Sequence, residues 1–339
     1  MKKNRTKLLA IGIAAASILA FSACASSGSD SGSSADSSGG AGEPIKIGYF
    51  IPGTNNSYVG TNVTAAEETA QKLGVDLEVV SANWDAATQT NQFDTALARK
   101  TYNAWLVAAV APEQACGSIK DAMAAGIKVF VTNQGLCGDD TYTEGTLGFV
   151  GGQTLALYDG WFSKIAEDNP DGGKIALLTG PNLNYNTNNA LAAFKDDIES
   201  DSKFDVVSNQ QSDYTTATAF DVAQATLQAN PDLKIYAANY AEMTKGIVEA
   251  VEAAGLTGKV KVYDFGGNEW ATGAVADGTV ALSLPMLPYT EVQKSVEELV
   301  DAWNGKEIPQ VLDLSKELTF TGAPYLTKDN VSEFTAEYQ

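Results

Sequence analysis

From residue 45 onward, short runs of β-branched and apolar residues alternate with longer stretches whose apolar positions recur at helical spacing. That alternation predicts parallel strands joined by crossover helices. Strands are expected at 45–52, 75–81, 104–110, 127–133 and 146–152, and again at 173–180, 204–211, 233–239, 259–266 and 280–286. The intervening helices close on Gly74, Gly126, Gly255 and Gly305, residues that suit a helix C-terminus. Over 289–303, Val292, Val296, Leu299 and Trp303 share one helical face and are expected to pack into the core rather than against a partner. Two consecutive sets of strands predict an α/β fold of two doubly wound parallel-sheet lobes, with any ligand held beyond the carboxyl ends of the strands.

The chain ahead of residue 45 reads differently. Residues 1–7 carry four positive charges and no acid, and residues 8–23 are apolar or small, the layout of a secretory signal. The run Leu19-Ala20-Phe21-Ser22-Ala23-Cys24 resembles a bacterial lipobox, with Phe21 where leucine is usual. The resemblance implies a lipoprotein signal peptide over 1–23, cleaved before Cys24, with lipid on that cysteine. An ordinary secretory signal or a membrane-spanning anchor is the alternative. Residues 25–43 hold 8 Ser, 5 Gly and 3 Ala without a large apolar side chain, so the stretch 24–43 reads as a lipidated cysteine and a tether. A coil of that length spans roughly 25 Å.

Composition narrows the chemistry. Lys and Arg total 22 against 42 Asp and Glu, a formal charge of −20, and removal of the basic leader leaves the rest more acidic still. Such a surface repels nucleic acid and anionic lipid. The absence of histidine excludes Ser-His-Asp and Cys-His catalysis and histidine-ligated zinc. Cys116 and Cys137 remain, and in an oxidising, exported setting they are expected to pair, two separate buried thiols being the alternative. They follow the third and fourth predicted strands, so a bond would brace one rim of the site. No calcium-loop pattern is present, and no metal site is assigned.

The predicted strand ends are rich in carboxamides and aromatics. Asn55, Asn56 and Tyr58 follow the first strand, Trp84 the second, and Asn133 and Gln134 the fourth. In the second set, Asn184 and Asn188 follow one strand, and Tyr214, Asn239, and Asp264 with Asn268 stand at the ends of others, with Met286 after the last. Carboxamides donate to and accept from hydroxyls, and an aromatic face covers the C–H face of a polyol. Few Lys or Arg lie at these ends, so an anionic ligand would lack opposite charge. For any single Asn, Asn184 among them, helix capping is an equal explanation.

Several segments carry a family resemblance: IGYFIPGTNNSYVGTNVTAAEETAQKLGVDLEVV (47–80), AAGIKVFVTNQ (124–134), FKDDIES (194–200), NPDLKIYAANYAEM (230–243) and ALSLPMLP (281–288). In order and spacing the chain resembles the type I periplasmic solute-binding proteins of sugar ABC transporters, the ribose-binding-like group. That resemblance implies three hinge crossovers, near 150–153, 284–288 and 310–316. They would divide the chain into an N-terminal lobe, 44–151 plus 287–312, and a C-terminal lobe, 152–286 plus 313–339. It implies ligand contacts at Asn56, Tyr58, Tyr214 and Asn239. Asn133-Gln134 stand where an Asp-Arg pair is usual, and Asn188 stands near the position of an Arg. Gly266 stands where the family has an Asp, with Asp264 and Asn268 as substitutes, and Met286 where it has Gln.

These departures favour a small neutral sugar or sugar alcohol over ribose. The expectation is a monomeric, lipid-anchored receptor on the outer face of the cell membrane, Gram-positive-like or periplasmic, that delivers its ligand to an ABC permease. No enzyme activity and no cofactor are expected. The rival readings are a receptor for a furanose-like signalling molecule, and a glycoside hydrolase using carboxylates such as Asp85, Asp264 and Glu269 at a separation of about 5 to 9.5 Å.

Overall fold

The computed structural model describes residues 43–339, so the expected signal segment, the lipidated Cys24 and nearly all of the tether lie outside the described residues. The first lobe runs β1 (Lys46–Ile51), α1 (Ser57–Leu73), β2 (Asp76–Ser81), α2 (Ala86–Arg99), β3 (Ala104–Val107), α3 (Pro112–Ala124), β4 (Lys128–Thr132) and β5 (Phe149–Gly151). The second runs α4 (Leu155–Asp168), β6 (Gly173–Thr179), α5 (Tyr185–Phe194), β7 (Phe204–Gln211), α6 (Thr216–Ala229), β8 (Ile235–Ala238), α7 (Ala241–Ala253), β9 (Lys261–Gly266), α8 (Glu269–Asp277) and β10 (Leu282–Pro285). The chain then returns to the first lobe through α9 (Pro288–Trp303) and β11 (Val311–Asp313).

The sheets are ordered β2-β1-β3-β4-β5-β11 and β7-β6-β8-β9-β10, with every adjacent pair parallel. The second lobe thus repeats the first, β6 standing for β1 and β7 for β2. In each, the strand order reverses beside the first strand, which opens a crevice past the carboxyl ends. Helices cover both sheet faces, and the inner strands β3 and β8 are accordingly unbroken apolar runs, buried at every residue. Val292, Val296 and Leu299 of α9 are fully buried beside α1 and the first sheet, and Trp303 packs against the same core. The helical stripe is core.

After Asp313 the chain enters the second lobe again, where Leu326 pairs with Ser283 and the Tyr338 hydroxyl donates to the Gly266 carbonyl at 2.9 Å. Two differences from the sequence reading bear on the site. The run expected as a strand over 104–110 leaves the sheet after Val107, and β11 is an extra strand at the edge of the first sheet. Gly74, Gly126, Gly255 and Gly305 stand at φ of 68°, 90°, 67° and 78°, the left-handed geometry expected where helices stop. Cys116 of α3 and Cys137 of the loop after β4 are bonded, with Cα atoms 5.1 Å apart.

Candidate functional site

A cavity of about 420 Å³ lies between the lobes at the carboxyl ends of their strands. Of the residues singled out from sequence, Asn55, Asn56, Tyr58, Trp84, Asn133 and Gln134 line it from the first lobe. Asn184, Tyr214 and Asn239 line it from the second, with Met286 at the crossing. Capping and lining are not exclusive. Asn56 caps α1 through Oδ1, which accepts from the Val59 N–H at 3.0 Å, and Asn184 caps α5 through Oδ1 from Thr187 at 2.9 Å. Each cap occupies the oxygen, and the Asn184 NH₂ donates on to the Tyr214 hydroxyl at 3.1 Å. Buried Asn239 accepts from the Gly180 N–H at 3.1 Å, tying the ends of β8 and β6 together.

The two lobes present aromatic rings in the same way. Trp84 follows β2 and Tyr214 follows β7, both at φ 64°. Each ring lies on a glycine after the neighbouring first strand: a Cβ on Gly53 would collide with the Trp84 indole nitrogen, and one on Gly180 with Cζ of Tyr214. The Trp84 indole N–H also donates to Asn55 Oδ1 at 2.5 Å. The rings meet across the cavity with centroids 6.4 Å apart. Gly180→Ala is therefore expected to expel the Tyr214 ring, costing about 1–3 kcal/mol of stability and at least tenfold in ligand affinity. Thermal denaturation and a binding titration would check both; a variant with wild-type affinity would remove Tyr214 from the ligand's surroundings.

Three residues expected at the site lie outside the cavity. Asn188 is exposed on the far side of α5, because the cap at Asn184 sets the helix phase so that Asn186, two residues on, faces inward. Asp264 is fully buried in β9, and its oxygens accept from Thr244 Oγ1 at 2.6 Å, Ser283 Oγ at 2.5 Å and Gly267 N at 2.9 Å, leaving it an internal brace. Asn268 caps α8 from Ala271 at 2.9 Å.

Below the cavity lies a polar chain that the sequence reading missed. Glu291, in the first turn of α9, is 2% exposed, and its Oε2 accepts from the Tyr58 hydroxyl at 3.1 Å. Asn133 Nδ2 donates to the Tyr58 oxygen at 3.0 Å and lies 3.4 Å from both Glu291 oxygens, while Asn133 Oδ1 accepts from Asn186 of the second lobe at 3.0 Å. Burial pushes the Glu291 carboxyl up to about 8, against the hydrogen bonds from Asn133 and Tyr58. At neutral pH this group is protonated, so the cavity floor is neutral.

The walls continue that character. Among the described residues lining the cavity there is no Lys or Arg, and the single carboxylate, Asp213, is engaged by Thr215 and Thr218, which hold it below the usual range. Two lining residues carry a side-chain atom that is shut off from the cavity: Asn186 Oδ1, and the Tyr240 hydroxyl beside Ser57 and Glu242. The lobes touch directly around the cavity, Ser57 Oγ donating to Glu242 Oε1 at 2.6 Å and Tyr185 N to Gln134 Oε1 at 2.7 Å. This is a closed arrangement. Its chemistry suits a ligand that both donates and accepts hydrogen bonds and has no charge to neutralise.

The family model for a periplasmic binding protein domain matches residues 47–307. The chain is similar to the ribose import binding protein of Bacillus subtilis, 24% identical over 78% of this chain and 84% of the relative. It is also similar to the D-allose-binding periplasmic protein of Escherichia coli, 28% identical over 77% and 85%. A solved ABC transporter solute binding protein from Bacillus halodurans with bound myo-inositol shares the fold at a TM-score of 0.76 and 21% identity, across 88% of this chain and 100% of that one.

Proposed function

The chain belongs to the periplasmic binding protein domain family, and from that premise we propose that it is the extracytoplasmic, lipid-anchored receptor of an ABC importer for a small neutral sugar or polyol. The observation that carries the reading is a cavity lined by carboxamides and aromatic rings of both lobes, with no Lys or Arg among the described lining residues. A hydrogen bond between a neutral carboxamide and a ligand hydroxyl contributes about 0.5–1.5 kcal/mol, so several of them favour a polyol over an anion. A micromolar dissociation constant needs about −8 kcal/mol, within reach of a few such bonds and the contact of Trp84 and Tyr214.

Closure and binding are then one event. The open lobes admit the ligand, which touches side chains of both, and the population shifts to the closed form. The closed protein presents two lobe surfaces together to a membrane permease, while Cys24 and the tether keep it within reach. It acts as a monomer, without cofactor or catalytic residue.

A thermal-shift screen of neutral pentoses, hexoses, tetritols, pentitols and inositols, with amino acids and uronic acids as controls, tests this. A true ligand at 100 times its dissociation constant should add about 2.7 kcal/mol of stability. A selective shift with a neutral polyol is expected. Shifts with charged compounds alone would overturn the reading.

A further inference from the structure

Tyr185, the first residue of α5, lies between two cavity residues, Asn184 and Asn186, but does not line the cavity itself. Its phenol crosses to the first lobe. The hydroxyl donates to Glu113 Oε1 at 2.6 Å and accepts from the Gly138 N–H at 2.6 Å. Those two groups come from different elements. Glu113 sits in the first turn of α3, three residues before Cys116, and Gly138 directly follows Cys137 in the loop after β4. The Cys116–Cys137 bond therefore joins the two walls of the socket that receives the phenol.

The same strip of loop makes further contacts to α5. Gln134 Oε1 accepts from Tyr185 N at 2.7 Å, and Asp140 Oδ1 accepts from Asn189 Nδ2 at 2.7 Å. Within the loop, Asn133 and Cys137 hold left-handed backbone at φ 73° and 59°, a conformation that asparagine tolerates and that is unfavourable to cysteine. A loop so shaped needs fastening, and the disulfide supplies it at the point of contact. Partial burial and the Glu113 carboxylate push the Tyr185 phenol up to about 12, so it keeps its proton across the physiological range.

We propose that Tyr185 is a latch between the lobes, a positioning residue that sets how long the closed form persists without touching the ligand, and that the disulfide assembles its socket. The inference rests on the two-lobed receptor reading, but its main test uses no ligand. The readout is amide exchange at residue 185 in the ligand-free protein. That N–H bonds Gln134 across the lobes, and Tyr185→Phe leaves both of those groups in place, so its exchange reports closure rather than the missing hydroxyl.

Tyr185→Phe removes both bonds of the hydroxyl, to Glu113 and from Gly138, and should speed exchange there at least tenfold. Glu113→Ala, which removes one of them, should speed it less, and Glu113→Gln, which keeps an acceptor oxygen without the charge, should lie between Glu113→Ala and wild type. The pair Cys116→Ser with Cys137→Ser should match Tyr185→Phe. Equal exchange in wild type and Tyr185→Phe would overturn the latch. A sugar screen without a hit, beside altered exchange in Tyr185→Phe, would instead leave the latch standing and remove the sugar-receptor reading.

Discussion

Glu291→Gln is expected to remove the Glu291 share of a fall in stability that the wild-type protein shows between about pH 4.5 and pH 8. The group's ordinary value is 4.5, and burial raises it to about 8 in the folded protein. Between those values the folded chain holds a proton that the unfolded chain has released. Stability therefore declines as pH rises through that window: the contribution is whole below 4.5 and gone once pH passes the folded value. At 1.36 kcal/mol per unit, the loss is on the order of 3–5 kcal/mol. Glutamine keeps an acceptor for the Tyr58 hydroxyl and has no charge to bury. Glu242 and Asp264 are also raised by burial, and they contribute alike to both proteins. Denaturation curves of the two proteins at pH 5, 7 and 9 should diverge with pH, wild type becoming the less stable. Parallel curves would mean that the Glu291 carboxyl is solvated.

Asn133→Ala should reduce ligand affinity about 30- to 100-fold, the second large effect. Its side chain joins the Tyr58–Glu291 pair to Asn186 of the other lobe, so removing it breaks one contact that exists only when the lobes are closed. It also leaves buried partners unpaired, at about 1–3 kcal/mol. Alanine would further suffer at φ 73°, where the left-handed conformation costs about 1–2 kcal/mol. Asn133→Gly separates the two causes. It should lose affinity as alanine does, by titration calorimetry, but less stability. If Asn133→Gly bound as tightly as wild type, the carboxamide would have no part in holding the closed form.

The sequence carried the repeating β–α order, because strands buried on both faces leave unbroken apolar runs and helices leave a stripe. It carried the strand ends as well, since Asn, Trp and Tyr stand there in both lobes. What it missed depended on contacts between distant segments. β11 is three residues, exposed or half-buried, with no periodicity of its own; it is a strand because returning chain meets the edge of β5. Ala108, Ala109 and Val110 read as strand because a run of small apolar residues looks the same in a sheet and in a cavity wall. Asn188 stands at the site by resemblance alone, and the cap at Asn184 turns it to the exposed side of α5. Glu291, in the charged first turn of a helix after a proline, gave no sign that it would be buried. Tyr185 gave none either, as its partners Glu113 and Gly138 lie 72 and 47 residues away.

The central claim is that a neutral polyol is bound between the lobes by uncharged groups of both. The crystal structure of the complex with the compound selected by the thermal screen tests that most directly, through the distances from ligand oxygens to Asn56 and Asn133 of the first lobe and Asn184 and Asn239 of the second. Ligand hydroxyls are expected within about 3.2 Å of at least one carboxamide from each lobe. A ligand seated elsewhere, or one in the cleft bonded to a single lobe, would contradict it.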